Sequence, residues 1–268
     1  MNVVITGGSK GIGKGMAHEF LKRGHNVTIC SRGQKDIDLT VNEFGAGTAE
    51  GQMICGTSCD VADYKQVQNL WDFANDKMGS VDIWINNAGR DGLKMEFTNL
   101  PAEDFSLTVD TNVTGMMNCC HVAMHGMQQQ SAGGRIFNME GFGSDGMTRP
   151  RLGVYGSTKY GLRYFTKTLV KECEGSTIKM CYLSPGMVVT DLLVPPPEQR
   201  DENWEKSKKV LNILADTVET VTPYLVDGVL AAEKNGDAVR WLTTGKVMKR
   251  FMFSRFTKPR DLFSHLGA

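Results

Sequence analysis

The stretch that most limits what this chain can become is NVVITGGSKGIG, residues 2–13. Its consecutive apolar residues suit a strand covered on both faces, and glycines follow at once. A strand that turns through glycines into a helix leaves N–H groups unpaired at the helix start, where an anion such as a diphosphate can bind. Gly7 permits the turn. Gly11 and Gly13 let backbone approach the anion and let the helix approach the sheet. Ser9, Lys10 and Ile12 fill out the loop as further candidate cofactor contacts.

Six more β-type runs follow: VTIC (27–30), QMICGTSC (52–59), DIWIN (82–86), RIFNM (135–139), IKMCYL (178–183) and AVRWL (238–242). Between them, 11–23, 64–78, 102–129 and 156–174 read as amphipathic helices. This alternation predicts an α/β fold, a doubly wound parallel sheet of about seven strands with helices on both faces. No internal repeat or linker interrupts it, so residues 1–268 are expected to form one domain. Residues 192–209, with three prolines and a charged run, read as a loop leading into a helix and a candidate substrate lid. Residues 245–268 form a basic aromatic tail, which suits a packed terminal helix or a surface touching membrane, pigment or partner.

Thirty basic and thirty acidic residues cancel, so no charge bias favours nucleic acid. No apolar run approaches the ~18 residues needed to cross a bilayer. The expected protein is soluble, with peripheral membrane contact left open: cytoplasmic if the chain is complete, chloroplast stroma or thylakoid surface if a transit segment was removed. Seven scattered cysteines suggest reduced core thiols. Cys119, Cys120, His121 and His125 are the one metal-like grouping, but adjacent cysteines diverge, and no metal is expected.

The second strand should end near an adenosine ribose, where NAD enzymes place an acid. This chain has Ser31 and Arg32 there, and a guanidinium pairs well with an extra phosphate. Lys10 adds a second cation. NADP(H) is therefore favoured over NAD(H). Further on, Tyr155 and Lys159 lie four apart in YGSTK, on one helical face. A nearby ammonium is expected to pull a phenol down from its ordinary pKa of ~10 towards the range useful for proton transfer.

TGGSKGIG, NNAG and YGSTK together resemble the short-chain dehydrogenase/reductase family, from the first strand to about residue 190. The resemblance implies a Rossmann-type fold and hydride transfer between NADP(H) and a carbonyl or alcohol. It further implies that Asp60 and Val61 contact adenine, that Asn87, Ala88 and Gly89 lie near the ribose, and that Pro185, Gly186, Val188 and Thr190 cradle the nicotinamide carboxamide. Asn112 matches the asparagine that holds a water in the relay to Lys159, and Tyr155 and Lys159 also contact the cofactor. Members commonly pair through two long helices, here 102–129 and 156–174, so a homo-oligomer is implied.

One departure stands out. The family pattern GRI-x-x-x-x-S ends in a serine that bonds the substrate carbonyl, and alignment puts Gly141 there. Phe142 stands thirteen residues before the tyrosine, where that serine usually lies, and Ser144 stands eleven before it. Ser144 could swing in from a rearranged loop, a backbone N–H near Gly141 could serve, or the site could merely bind nucleotide. Gly141, Phe142 and Ser144 are the candidate substrate contacts, with Ser144 a candidate catalytic group. RIFNMEGFGSDG, YGSTKYGLR and LSPGMVVTDLL are also similar to the chlorophyll(ide) b reductases, in which an acidic residue and glycine follow IFNM. That likeness implies reduction of the formyl group of a tetrapyrrole pigment. Reduction of another small carbonyl, or a non-catalytic nucleotide-binding role, are the alternatives.

Overall fold

β1 (Asn2–Thr6) sits at the centre of a seven-stranded, all-parallel sheet in this computed structural model, which describes residues 1–195, 197, 200–254 and 256–264. The other strands are β2 (Asn26–Ser31), β3 (Ile54–Ser58), β4 (Ile83–Asn86), β5 (Gly134–Met139), β6 (Ile178–Ser184) and β7 (Ala238–Arg240). Their order is β3-β2-β1-β4-β5-β6-β7. Val4 of β1 pairs with Thr28 on one side and Trp84 on the other, and Val3, Val4 and Ile5 are fully buried. Strands covered on both faces explain the unbroken apolar runs. The order reverses between β1 and β4, which opens a crevice at the carboxyl ends of those strands.

Two apolar layers flank the sheet. On one side α1 (Gly11–Lys22), α2 (Gln34–Gly45) and α8 (Val218–Ala231) pack Met16, Phe20, Ile37, Val221 and Leu225 against the strands. On the other, α3 (Tyr64–Met78), α5 (Gly115–Gln128) and α6 (Gly153–Glu172) contribute Leu70, Trp71, Met116, Met127 and Leu162. Asp63 caps α3 by accepting from the N–H groups of Lys65 and Gln66, and Gly79 ends it in the left-handed region. The described chain also holds α4 (Ala102–Val109), α7 (Glu202–Leu214) and a terminal helix, α9 (Thr244–Ser254).

Several expectations shift. The single helix over 102–129 is two helices, α4 and α5, joined by a π turn at Asp110–Thr114 that contains Asn112. Such a turn inserts an extra residue into the helical ladder and bulges it, often at functional sites. The helix expected from 156 starts at Gly153, which puts Tyr155 in its first turn. The third and seventh strands are shorter than the apolar runs that marked them. α2 and α8 join the elements read from sequence. The expected lid spans a loop and the start of α7, with residues 196, 198 and 199 outside those described. Among the described residues, no helix is long and apolar enough to cross a membrane.

Cys30, Cys59, Cys119, Cys120, Cys173 and Cys181 are buried free thiols and Cys55 is half-buried. Cys119 and Cys120 pack in the core, while His121 Nδ1 pairs with the Tyr64 hydroxyl.

Candidate active site

At the carboxyl ends of β1 and β4 the glycine loop and the NNAG segment are stitched together. Asn87 donates to the carbonyls of Thr6 (2.9 Å) and Gly7 (3.1 Å), and the Thr6 hydroxyl accepts from the N–H groups of Asn87 and Ala88. The approach is close: a Cβ on Gly13 would lie 2.3 Å from the Gly7 carbonyl oxygen. Only glycine fits there. Ser9 is buried, and its carbonyl accepts from Thr40 of α2. Gly11, in the left-handed region, faces Thr190.

Beyond β2, Ser31 bonds the Gly33 carbonyl, and Arg32 is exposed with no ion pair among the described residues. Lys10 is engaged, at 2.9 Å, with the Asp36 carboxylate, whose hydrogen bond holds the ammonium pKa above its usual value. Lys10, expected as a second cation for a ribose phosphate, shares its charge with Asp36 on the exposed rim of the loop. Asp60 accepts from Ala62 N–H within its own turn, and Val61 is a core residue packed under Gly115 of α5.

Ile12, Asn87, Gly89, Tyr155, Lys159, Pro185, Gly186, Val188 and Thr190 all line one cavity of about 560 Å³. Nine sequence-derived positions from four segments therefore converge on one crevice. The remaining wall is largely apolar: Leu93, Met95, Met139, Phe142, Leu152, Met187, Leu192, Leu193, Pro195, Trp204 and Leu211. A second depression of about 570 Å³ lies between α3 and α5, far from this chemistry, with Trp71 and His125 in its wall.

Tyr155 and Lys159 are both buried on α6. Lys159 Nζ donates to the Met139 carbonyl at 3.3 Å and lies 5.8 Å from the centre of the Tyr155 ring. Burial lowers the ammonium pKa to about 8, against the opposing pull of Glu140. The phenol moves the other way from the expectation. Burial raises its pKa, and the Asp91 carboxylate pushes it further up. An apolar cavity wall disfavours phenolate more than the ammonium favours it. Tyr155 is thus held protonated, as an acid.

Asn112 spends both amide hydrogens, on the Arg90 carbonyl (2.7 Å) and the Thr158 hydroxyl (3.0 Å), while its Oδ1 accepts from Arg90 N–H (2.8 Å). It ties the loop after β4 to α6. Below it runs a buried polar line, Trp84 to Asn86 to Asn138 to Thr166, which fixes the ends of β4 and β5.

At the place of the family serine, Gly141 packs directly under the phenol. A Cβ there would lie 2.3 Å from the Tyr155 hydroxyl oxygen. Ser144 is buried, and its Oγ accepts from the Gly141 N–H at 3.0 Å. Phe142, Gly141 and Glu140 line the cavity wall, while Ser144 holds the turn that presents them. The two proposed substitutes for the serine are thus bonded to each other.

Three carboxylates that the sequence motifs do not mark also line the cavity, Asp91, Glu140 and Asp201, the last capping α7 and paired with Arg151. Asp91 is paired with Lys94 at 2.9 Å, and burial raises its pKa. Glu140 sits between Arg163 (3.4 Å) and Arg240 (3.5 Å), with one buried oxygen lacking a hydrogen bond. The acidic residue after IFNM was a signal for Glu140. The loop after NNAG carries none for Asp91.

A family model described as short chain dehydrogenase matches residues 1–201. The chain belongs to the short-chain dehydrogenase/reductase family. The family is one of NAD(P)-dependent oxidoreductases. It is 40% identical over 261 residues to the probable chlorophyll(ide) b reductase NYC1 of rice (Oryza sativa subsp. japonica), covering 92% of this chain and 51% of that protein. It is 40% identical over 262 residues to the chlorophyll(ide) b reductase NOL of rice, covering 95% of this chain and 74% of that protein. The chain thus spans about half of one of these relatives and three quarters of the other. Among solved structures, an actinorhodin polyketide ketoreductase variant with NADPH superposes with a TM-score of 0.76 at 26% identity, over 89% of this chain and 94% of that one.

Arg32 carries the test of cofactor choice. Replacing it with Ala should raise the KM for NADPH about ten- to hundredfold, the loss of a charge-assisted contact to phosphate, and leave the KM for NADH nearly unchanged. Steady-state kinetics with both cofactors checks this. Equal changes for the two would remove Arg32 from phosphate recognition.

Proposed function

We propose that this protein is an NADPH-dependent reductase of the formyl group of chlorophyll(ide) b, giving the hydroxymethyl product. The observation that carries the reaction type is the buried Tyr155 and Lys159 pair in the wall of an apolar cavity bounded by the glycine loop. The named activity of the two rice relatives supports the substrate. NADP(H) as cofactor is supported by Arg32 at the end of β2 and by the NADPH-bound ketoreductase of like fold.

The site fits a dinucleotide. Gly13 lets α1 close onto the Gly7 carbonyl and Gly11 turns the loop opposite Thr190, the form a diphosphate loop takes, and Asn87, Gly89, Gly186, Val188 and Thr190 line the crevice where a nicotinamide would lie. Bound NADPH supplies the hydride. Tyr155, kept protonated by burial, gives its proton to the alkoxide that forms. Lys159, with a pKa of about 8, holds a proton near neutrality and can restore the phenol. Asn112 positions α6 against the loop after β4. Ser144 holds the Gly141 turn open beside the reacting carbonyl. Leu192, Leu193, Pro195 and Trp204 of the 192–209 segment wall the cavity and could exclude water by closing over a flat substrate.

The α4, α5 and α6 surfaces carry exposed Leu107, Val109, Met117, Tyr160 and Tyr164, which supports pairing of two copies through these helices. Relatives named chloroplastic support a plastid location.

Purified protein mixed with NADPH and chlorophyllide b should show loss of the formyl absorption band. Tyr155→Phe should lower turnover by about 10³-fold, within the range for a lost general acid, with NADPH affinity unchanged. Consumption of simple ketones alone would replace the pigment with a small carbonyl. Cofactor binding with no turnover on any carbonyl would leave a nucleotide-binding role.

A further inference from the structure

Helix α9 buries none of its eleven residues. Met248, Phe251 and Met252, spaced i, i+3 and i+4, share one stripe and are 67%, 42% and 59% exposed. Phe253 and Phe256 beside them are also exposed. A helix that packs on a core turns such a stripe inward. Here the inward contacts are polar. Arg250 donates to the Leu214 carbonyl and the Asp216 carboxylate, both at 2.7 Å. Arg260 reaches the same carboxylate at 2.9 Å and the carbonyls of Ile213 and Ala215. This clamp fixes α9 against the end of α7 with its apolar side facing out.

The segment that carries that stripe is basic, with Lys249 exposed while Arg250 and Arg260 turn inward onto Asp216. WLTTGKVMKRFMFSRFTKPR, residues 241–260, contains Lys246, Lys249, Arg250, Arg255, Lys258 and Arg260 and no acidic residue, in a chain whose thirty basic and thirty acidic residues cancel overall. We infer that α9 is an interfacial helix that lays Met248, Phe251 and Met252 into the headgroup region of an anionic lipid bilayer, with Lys249 among the headgroups. A basic helix with bulky apolar side chains on the other face binds such a surface. Charge complementarity favours lipid over a second copy, since two α9 helices facing each other would oppose cation to cation.

The clamp also links the helix to the cavity. The backbone of Asp216 bonds Met187 and Val189, within the segment that walls the nicotinamide end. α7, on which α9 is pinned, contributes Trp204, Ser207 and Leu211 to the cavity wall. Docking by α9 therefore sets that wall beside the lipid, the position from which a lipophilic substrate could enter.

The test is sedimentation of the full chain with vesicles of phosphatidylcholine and of phosphatidylcholine mixed with phosphatidylglycerol. Binding is read without turnover, so a wrong substrate assignment leaves this result interpretable. Binding to the mixed vesicles, weakening as salt rises, is expected. A Phe251→Ser, Met252→Ser double variant should partition at least tenfold less while keeping NADPH affinity. Lys249→Glu, at an exposed position, provides a second variant with the same direction of effect. The inference fails if the unaltered chain stays in the supernatant with anionic vesicles, or if both variants bind as well as it does. It also fails if the double variant splits an oligomer with lipid binding unchanged, which would assign the stripe to a second copy.

Discussion

Lys159→Met is expected to abolish turnover and at the same time make the protein more stable. Burial holds the Lys159 ammonium at a pKa of about 8, against an ordinary value of 10.5. Below pH 8 the folded protein carries a buried cation that the unfolded chain would keep in water. That penalty is fully present at pH 7 and is lost as pH rises from about 8 to 10.5, because in that window the unfolded chain binds more protons. At about 1.4 kcal/mol per unit, it is on the order of 3 kcal/mol at pH 7. Met fills a similar volume without charge, and leaves the Met139 carbonyl unpaired at a cost of about 1 kcal/mol. The net gain of about 2 kcal/mol should raise Tm by about 5 °C. Turnover should fall by about 10³-fold, since the phenol loses its proton source. Thermal melts at pH 7 and pH 10 check the first half: the gain should shrink at the higher pH. A melting point lower than that of the unaltered chain would mean that the ammonium is not strained by its burial.

The opposed effects on activity and stability explain why parts of this site were legible in the sequence and others were not. Spacing is written in the chain. Tyr155 and Lys159 four apart, and glycines between β1 and α1, could be read because helical and turn geometry depend on local sequence. The strands could be read because burial on both faces leaves unbroken apolar runs. Environment is not written locally. The direction of the Tyr155 shift comes from burial by walls that separate loops contribute, reinforced by Asp91, sixty-four residues away. Lys10 looked free as a cation until α2 brought Asp36 against it.

Elements were missed for equally physical reasons. In α2, QKDIDLTVNEFG, Ile37, Leu39 and Val41 alternate with Asp38 and Thr40, a strand-like pattern that masks the helical stripe Ile37, Val41 and Phe44 packed on the core. α8 carries Pro223 inside it, which reads as a break. The π turn at Asp110–Thr114 preserves the helical pattern on both sides, so 102–129 looked continuous. In each case the fold accepts a local misfit that tertiary contacts stabilise.

Gly141→Ser, which restores the family's serine at the aligned position, should lower turnover by about 10²-fold and not raise it. A Cβ at 141 would lie 2.3 Å from the Tyr155 hydroxyl oxygen and 3.2 Å from both the Tyr155 Cζ and the Lys159 Cε. The ring is buried and cannot yield without carrying the phenol away from the reacting carbonyl. A displacement of about 1 Å is enough for a loss of that size. Ser144→Ala tests the complementary side. It frees the Gly141 N–H from Oγ but leaves the phenol in place, so a loss of only about tenfold is expected. Measured kcat values for the two variants beside Tyr155→Phe separate the roles. A Ser144→Ala loss as deep as that of Tyr155→Phe would make Ser144 the group that bonds the carbonyl. A Gly141→Ser variant at full activity would mean that the phenol approaches its substrate from a different position than the one it occupies over Gly141.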